Sequence, residues 1–172
     1  FKPVQGDLNT TTARRNGLII FEKNGDAIAF PAMKGQWFDI WAIDKDEPLG
    51  WCDSETIISH LQAKRQDAAG RADSVFFAEE KEIINNIESL PLLNHRIAFR
   101  DVTNRTNKRT VIASLIPPHN VLVHTAPYLY RKRGDELDEA FLVGVLASLP
   151  FDWYGRRFIE THVSFYILNP FP

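Results

Sequence analysis

The 172-residue chain is 44% hydrophobic, enough for a real core and too much for a disordered segment. Its single cysteine, Cys52, excludes a disulfide framework and a cysteine-rich zinc site, and fits a cytoplasmic protein. No apolar run approaches the roughly 20 residues of a membrane span, no signal peptide is expected, and the net charge of −2 by itself points to no partner.

In chain order, LIIFE and AIAF flank Lys23-Asn24-Gly25-Asp26, and Asn-Gly there predicts a hairpin over residues 18–30. QWFDIWAI, residues 36–43, alternates early and then turns apolar, as a strand does. Residues 53–67 open on a capping Asp or Ser and place Ile57, Ile58 and Leu61 at helical spacing. A second short amphipathic helix is expected over 79–89. Strands follow at 96–101, 110–116 and 120–125. Residues 136–149 carry acids in their first turns, which suits the positive end of a helix dipole. Pro150 is expected to open a further helical segment, FDWYGRRF, and VSFYIL, 163–168, a closing strand. There is no internal repeat and no regular βαβ alternation, so the fold class is α+β.

Charge is unevenly spread. Residues 1–95 hold 10 basic and 15 acidic side chains, whereas residues 96–172 hold 10 and 7. The basic residues of the second half gather as Arg96, Arg100, Arg105, Lys108 and Arg109, then Arg131, Lys132 and Arg133, then Arg156 and Arg157. Such asymmetry is a mild pointer to a polyanionic partner; any single cluster is better accounted for as a solvated surface loop.

Signatures of catalysis are sparse. The histidines His60, His95, His119, His124 and His162 show no zinc-type spacing. GxSxG, a P-loop and GxGxxG are absent. Glu79-Glu80-Lys81 only loosely matches the Glu-x-Lys end of a nuclease metal site, and Asn169-Pro170-Phe171 reads as a chain exit. The residues describe a non-catalytic domain. The chain opens at Phe1, its only Met is Met33, and it reads as a piece of a longer protein.

The stretch RIAFRDVTNRTNKRTVIASLIPP, residues 96–118, resembles the R-x-x-x-R-D-v…T-N-x-R-T-x-I-a-a-l-i-P core of the target-recognition domains of Eco57I-like and phage-defence-type adenine-N6 DNA methyltransferases of restriction–modification. FPAMKGQWFDIWAID, 30–44, is similar to that family's l-P-l-y-E-G-k segment, with Met33 where Glu is frequent. LVGVLASLPFDWYGRRFIETHVSFYILNPFP, 142–172, is similar to its ending. The resemblance implies one DNA target-recognition domain over 1–172 with a curved mixed or antiparallel sheet and flanking helices. Residues 1–29 would then be a linker and hairpin from an upstream methyltransferase domain, and 45–90 a variable or inserted helical part. It further implies double-stranded DNA and that upstream domain as partners. S-adenosylmethionine would belong to the upstream domain, with no cofactor in this piece.

The residue chemistry is compatible with this. Thr103, Asn104, Arg105, Asn107, Lys108 and Arg109 fall on a loop expected between strands, where Arg can fork onto guanine and Asn onto adenine. Arg100 belongs to the same stretch; it and Arg109 are equally suited to holding the fold. Arg131, Lys132 and Arg133 follow the aromatic TAPYLY and make a phosphate or stacking edge, or a strand running into solvent. Arg156 and Arg157 point about 100° apart on a helix, so one reaches outward while the other covers apolar surface. His162 is a phosphate donor or a cap. Arg14-Arg15 forms a flexible clamp or a linker, and Trp37, Phe38 and Trp41 belong to the core. Two other classes stay open. One is a protein-interaction scaffold within a restriction or phage-defence complex. The other is a small metal-dependent nuclease using Glu80 and Lys81.

Overall fold

A computed structural model describes residues 1–22, 28–43, 47–163 and 165. The fold is α+β, with strands in separate antiparallel and mixed sheets that do not close into a barrel. The largest sheet has the order β1-β9-β6-β7, formed by β1 (Lys2–Val4), β6 (Arg96–Phe99), β7 (Ala113–Ile116) and β9 (Tyr128–Tyr130). A second, mixed sheet places β2 (Ala29–Met33) between β5 (Trp51–Asp53) and β8 (Val121–Leu122). The third is a small pair, β3 (Phe38–Asp39) with β4 (Ala42–Ile43).

The helices are α1 (Thr10–Arg15), α2 (Ser54–Ala69), α3 (Lys81–Asn85), α4 (Glu136–Leu146) and α5 (Leu149–Gly155). Side-chain acceptors begin four of them by taking amide protons that a helix leaves unpaired. Asn9 accepts from Thr11 and Thr12, Asp53 from Thr56, and Ser148 from Phe151. Asp135 and Asp138 form a reciprocal capping box on α4.

Strand β6 shows how the sequence builds the core. All four residues of Arg96-Ile-Ala-Phe are buried, because both faces of the strand are covered. With period two, Ile97 and Phe99 face Val143 and Leu146 of α4, while Ala98 faces Met33, Phe38 and Tyr128. A further cluster joins Ile57 and Leu61 of α2 to Leu8, Phe30, Cys52, Leu92 and Val121. The helix within 45–90 is therefore part of the core.

Arg96 shares the face of Ala98, and its guanidinium is 3% exposed. Nη1 and Nη2 donate to Oδ1 and Oδ2 of Asp7 at 2.8 and 2.7 Å, and Nη2 also reaches the Asn120 carbonyl. Asp7 Oδ2 accepts the Leu122 amide as well, at 2.8 Å. The pair ties the N-terminal segment to both larger sheets. The chain enters it through Gly6, at φ 96°, where a Cβ would lie 2.7 Å from the Val123 carbonyl oxygen.

Several elements differ from expectation. The hairpin over 18–30 does not form between its two apolar runs. Ile20 bridges Trp51, and both neighbours of β2 are already β5 and β8. The Asn24-Gly25 turn lies outside the described residues, as does most of the strand expected at 163–168. Residues 36–43 form a short helical turn and the β3–β4 hairpin in place of one strand; Trp37 and Phe38 are in the core as expected, but Trp41, at φ 61° on the hairpin tip, is 66% exposed and not a core residue. The helix expected over 79–89 ends at Asn85, because the Asn86 side chain takes the Glu88 amide at 3.0 Å and starts a new turn. Residues 136–149 divide at Ser148, which caps α5; Pro150 follows in its first turn.

Candidate nucleic-acid interface

The loop from Thr103 to Thr110 leaves β6 and returns to β7. Its base is closed by the Thr103 hydroxyl, which is buried and donates to the Thr110 carbonyl at 2.7 Å. Asn104 Oδ1 accepts from the amide and hydroxyl of Thr106, both at 2.9 Å, and its carbonyl takes the Asn107 amide at 3.0 Å. These local bonds make a tight polar turn of the Asx kind.

One guanidinium then fastens that turn from outside. Arg156 Nη1 donates to the Arg105 carbonyl at 3.0 Å, and Nη2 donates to the carbonyls of Asn107, at 2.8 Å, and Lys108. Its Nε donates to Asp152 Oδ2 at 2.9 Å. Asp152 is itself buried, and its Oδ1 accepts the amides of Thr110 and Val111 at 2.7 and 2.8 Å. Those two amides would otherwise seek a strand partner, which is why β7 begins only at Ala113. Arg109 turns inward too. It donates to the carbonyls of Ala147 and, at 3.2 Å, Ser148, just past the carboxyl end of α4, with Nε 3.9 Å from Asp152.

The consequence is a division of labour among the basic residues. Arg100, Arg109 and Arg156 are spent on backbone carbonyls; Arg100 reaches those of Phe38, at 2.9 Å from Nε, and Gln36. Asn104, Arg105, Asn107 and Lys108 are exposed, their backbone held beneath them. Arg157 is also exposed, its guanidinium 4.4 Å over the Trp153 ring. Residues 161–163 pair back onto 101–103, through the Val102–His162 bridge and the Thr103 amide on the Thr161 carbonyl. His162, half exposed, lies with Nδ1 3.3 Å from Asp101 Oδ2. Apart from Arg96, buried against Asp7 at the far end of β6, the first and third basic clusters therefore form one neighbourhood.

The second cluster stands elsewhere. β9 runs antiparallel to β6, so Arg131 to Arg133 leave the sheet at the end where β6 begins, opposite the 103–110 loop. Arg131 lies 3.6 Å from Glu139, and Lys132 lies 3.1 Å from both Glu79 and the Phe77 carbonyl. Arg133 is exposed. Glu139 is 5% exposed, and burial pushes its carboxyl above the ordinary range against the pull of Arg131. Glu80 and Lys81 are exposed at the start of α3, and among the described residues no group of three His, Cys, Asp or Glu is placed to hold a metal. No described helix is long and apolar enough to cross a membrane.

No family model, curated protein or solved structure matches this chain. The organiser of the loop, Asp152, is not among the site residues that the sequence singles out. Its signal is present as the helical i,i+4 spacing to Arg156, but the amides it serves lie about 40 residues away in the chain.

Proposed function

We propose that this chain is a DNA target-recognition module, of the kind that serves site-specific adenine-N6 DNA methyltransferases in restriction–modification and phage defence. One observation carries the reading. Three carbonyls of the 103–110 loop are drawn inward by Arg156, so the exposed Arg105, Lys108, Asn104 and Asn107 side chains stand on a backbone that is already fixed. A preorganised polar loop on a sheet loses little conformational entropy on binding. Arg and Lys supply phosphate neutralisation and Arg and Asn the donor patterns for base edges. The motif resemblance over 96–118 and 142–172 supports the same reading. In it, methyl transfer from S-adenosylmethionine and base flipping belong to a separate catalytic domain, and the module contributes docking and register.

The test is anisotropy of a labelled mixed-sequence duplex titrated with the chain at several salt concentrations. Binding should weaken steeply with salt, and Arg105→Ala and Lys108→Ala should each reduce the salt slope by about 1. Absence of binding at low salt, both alone and with a methyltransferase domain supplied, would overturn the reading.

A second reading has its own observation. Leu137 and Phe141 on α4 are 78% and 74% exposed, and Leu149 and Trp153 on α5 are 71% and 61% exposed. Apolar residues so placed suit docking onto another protein, which favours the scaffold alternative; it predicts tight association with a partner domain and no affinity for DNA.

A further inference from the structure

At the foot of the basic loop, a cavity of about 390 Å³ opens between the start of α1, the turn after β2 and the end of β6. Its polar lining is Thr10, Lys34, Gln36, Arg100, His124 and Thr125, and no carboxylate lines it. The Lys34 carbonyl accepts the Trp37 amide at 3.1 Å, but its ammonium has neither a hydrogen bond nor an ion pair among the described residues. Arg100 spends Nε and Nη2 on the Phe38 and Gln36 carbonyls and keeps Nη1. His124 Nδ1 accepts the Thr10 amide at 3.4 Å, which leaves Nε2 as the ring's donor. Thr125 Oγ1 is buried and has no hydrogen-bond partner among the described residues.

Two cations and a buried hydroxyl without a partner among the described residues give one cavity both the charge and the donors that an anion takes. The wall is also specific. A Cβ on Gly35 would sit 2.3 Å from the Thr125 carbonyl oxygen, so only glycine lets the Lys34-bearing turn lie against Thr125.

We infer that this cavity binds a phosphate group. Lys34 and Arg100 supply the charge, and the Thr125 hydroxyl and the His124 ring supply directed donors. The phosphate is either one of a DNA backbone, a source that rests on the DNA reading above, or one carried free or on a small molecule.

The experiment follows the backbone amides of the intact, isotope-labelled chain by NMR, first with inorganic phosphate and then with a mixed-sequence duplex. Inorganic phosphate should shift Gly35, Gln36 and Thr125 saturably. Thr125→Val should raise the phosphate Kd at least about fivefold, the loss of one hydrogen bond to a charged group. The same variant should leave the urea midpoint at or above the parent's, because the hydroxyl it removes has no partner among the described residues. Lys34→Met should weaken binding likewise, and Lys34→Arg should retain it. If the duplex moves the same amides and Lys34→Met lowers its salt slope by about 1, the phosphate is DNA's. If phosphate binds but the duplex leaves these amides unmoved, the cavity serves a free or small-molecule phosphate. If the duplex binds through Arg105 and Lys108 while neither ligand moves the cavity amides, the inference is overturned and the DNA reading survives. Silence in every titration overturns the inference, and the DNA reading falls with it only if the duplex also stays unbound once a methyltransferase domain is supplied.

Discussion

Arg156 donates from Nε to Oδ2 of Asp152, one helical turn before it, at 2.9 Å, and this pair holds both the tip and the exit of the 103–110 loop. The carboxylate takes the amides where the loop rejoins the sheet, and the guanidinium takes the carbonyls where it turns. Asp152→Ala would leave two buried amides without an acceptor and strip the Arg156 Nε of its partner, which costs about 3–5 kcal/mol. Urea unfolding measures it. Arg156→Lys keeps the charge but not the fork, and should cost less while accelerating hydrogen exchange at Asn107. Unchanged exchange there would mean that the local turn bonds suffice.

The Asp7–Arg96 pair makes a second structural prediction. Both side chains are 3% exposed and bonded through two parallel contacts. Removing one partner strands a buried charge, so Asp7→Asn should cost about 3–5 kcal/mol. Adding Arg96→Met should recover only part of this, because the Asn120 carbonyl then loses its donor and the new amide NH2 at position 7 gains no acceptor. A double-mutant cycle by chemical denaturation reads the coupling.

Glu139 predicts a pH dependence. Burial raises its carboxyl above the ordinary 4.5, Glu136 adds to the rise, and Arg131 and His95 oppose it. The folded chain therefore holds this proton more tightly than the unfolded chain. Its contribution to stability is present at acid pH and is lost as pH rises from 4.5 through the raised folded value. Glu139→Gln stays neutral throughout, so its stability relative to the parent should climb between acid and neutral pH. A relative stability that falls over this range instead would show that the Arg131 contact outweighs burial.

Cys52 should be chemically silent in the native state. It is 0% exposed, and burial, with the charge of Asp7 adding to it, pushes the thiol up to about 12. Thiolate is the reactive form, so labelling by a disulfide reagent should proceed only through unfolding and should accelerate in Asp7→Asn. Rapid native-state labelling would contradict the packing of Phe30, Ile57 and Cys52 in one cluster.

Part of this architecture is legible in the amino-acid sequence by itself. Asp53 announces α2, the acidic turn at 135–139 announces α4, and Arg96-Ile-Ala-Phe reads as a strand, because caps and apolar periodicity act within a few residues. The 103–109 stretch likewise reads as a polar loop from its Thr and Asn content. What only the tertiary structure decides depends on partners far along the chain. Asp152 takes the Thr110 and Val111 amides out of the strand, Arg156 is drawn under the loop, and β5 enters beside β2 in place of the expected hairpin partner. The direction of β9 sends Arg131 to Arg133 away from the loop, although composition alone makes the basic clusters alike. A backbone amide or a guanidinium is satisfied by whichever acceptor the fold brings near, and that choice is written in no local pattern.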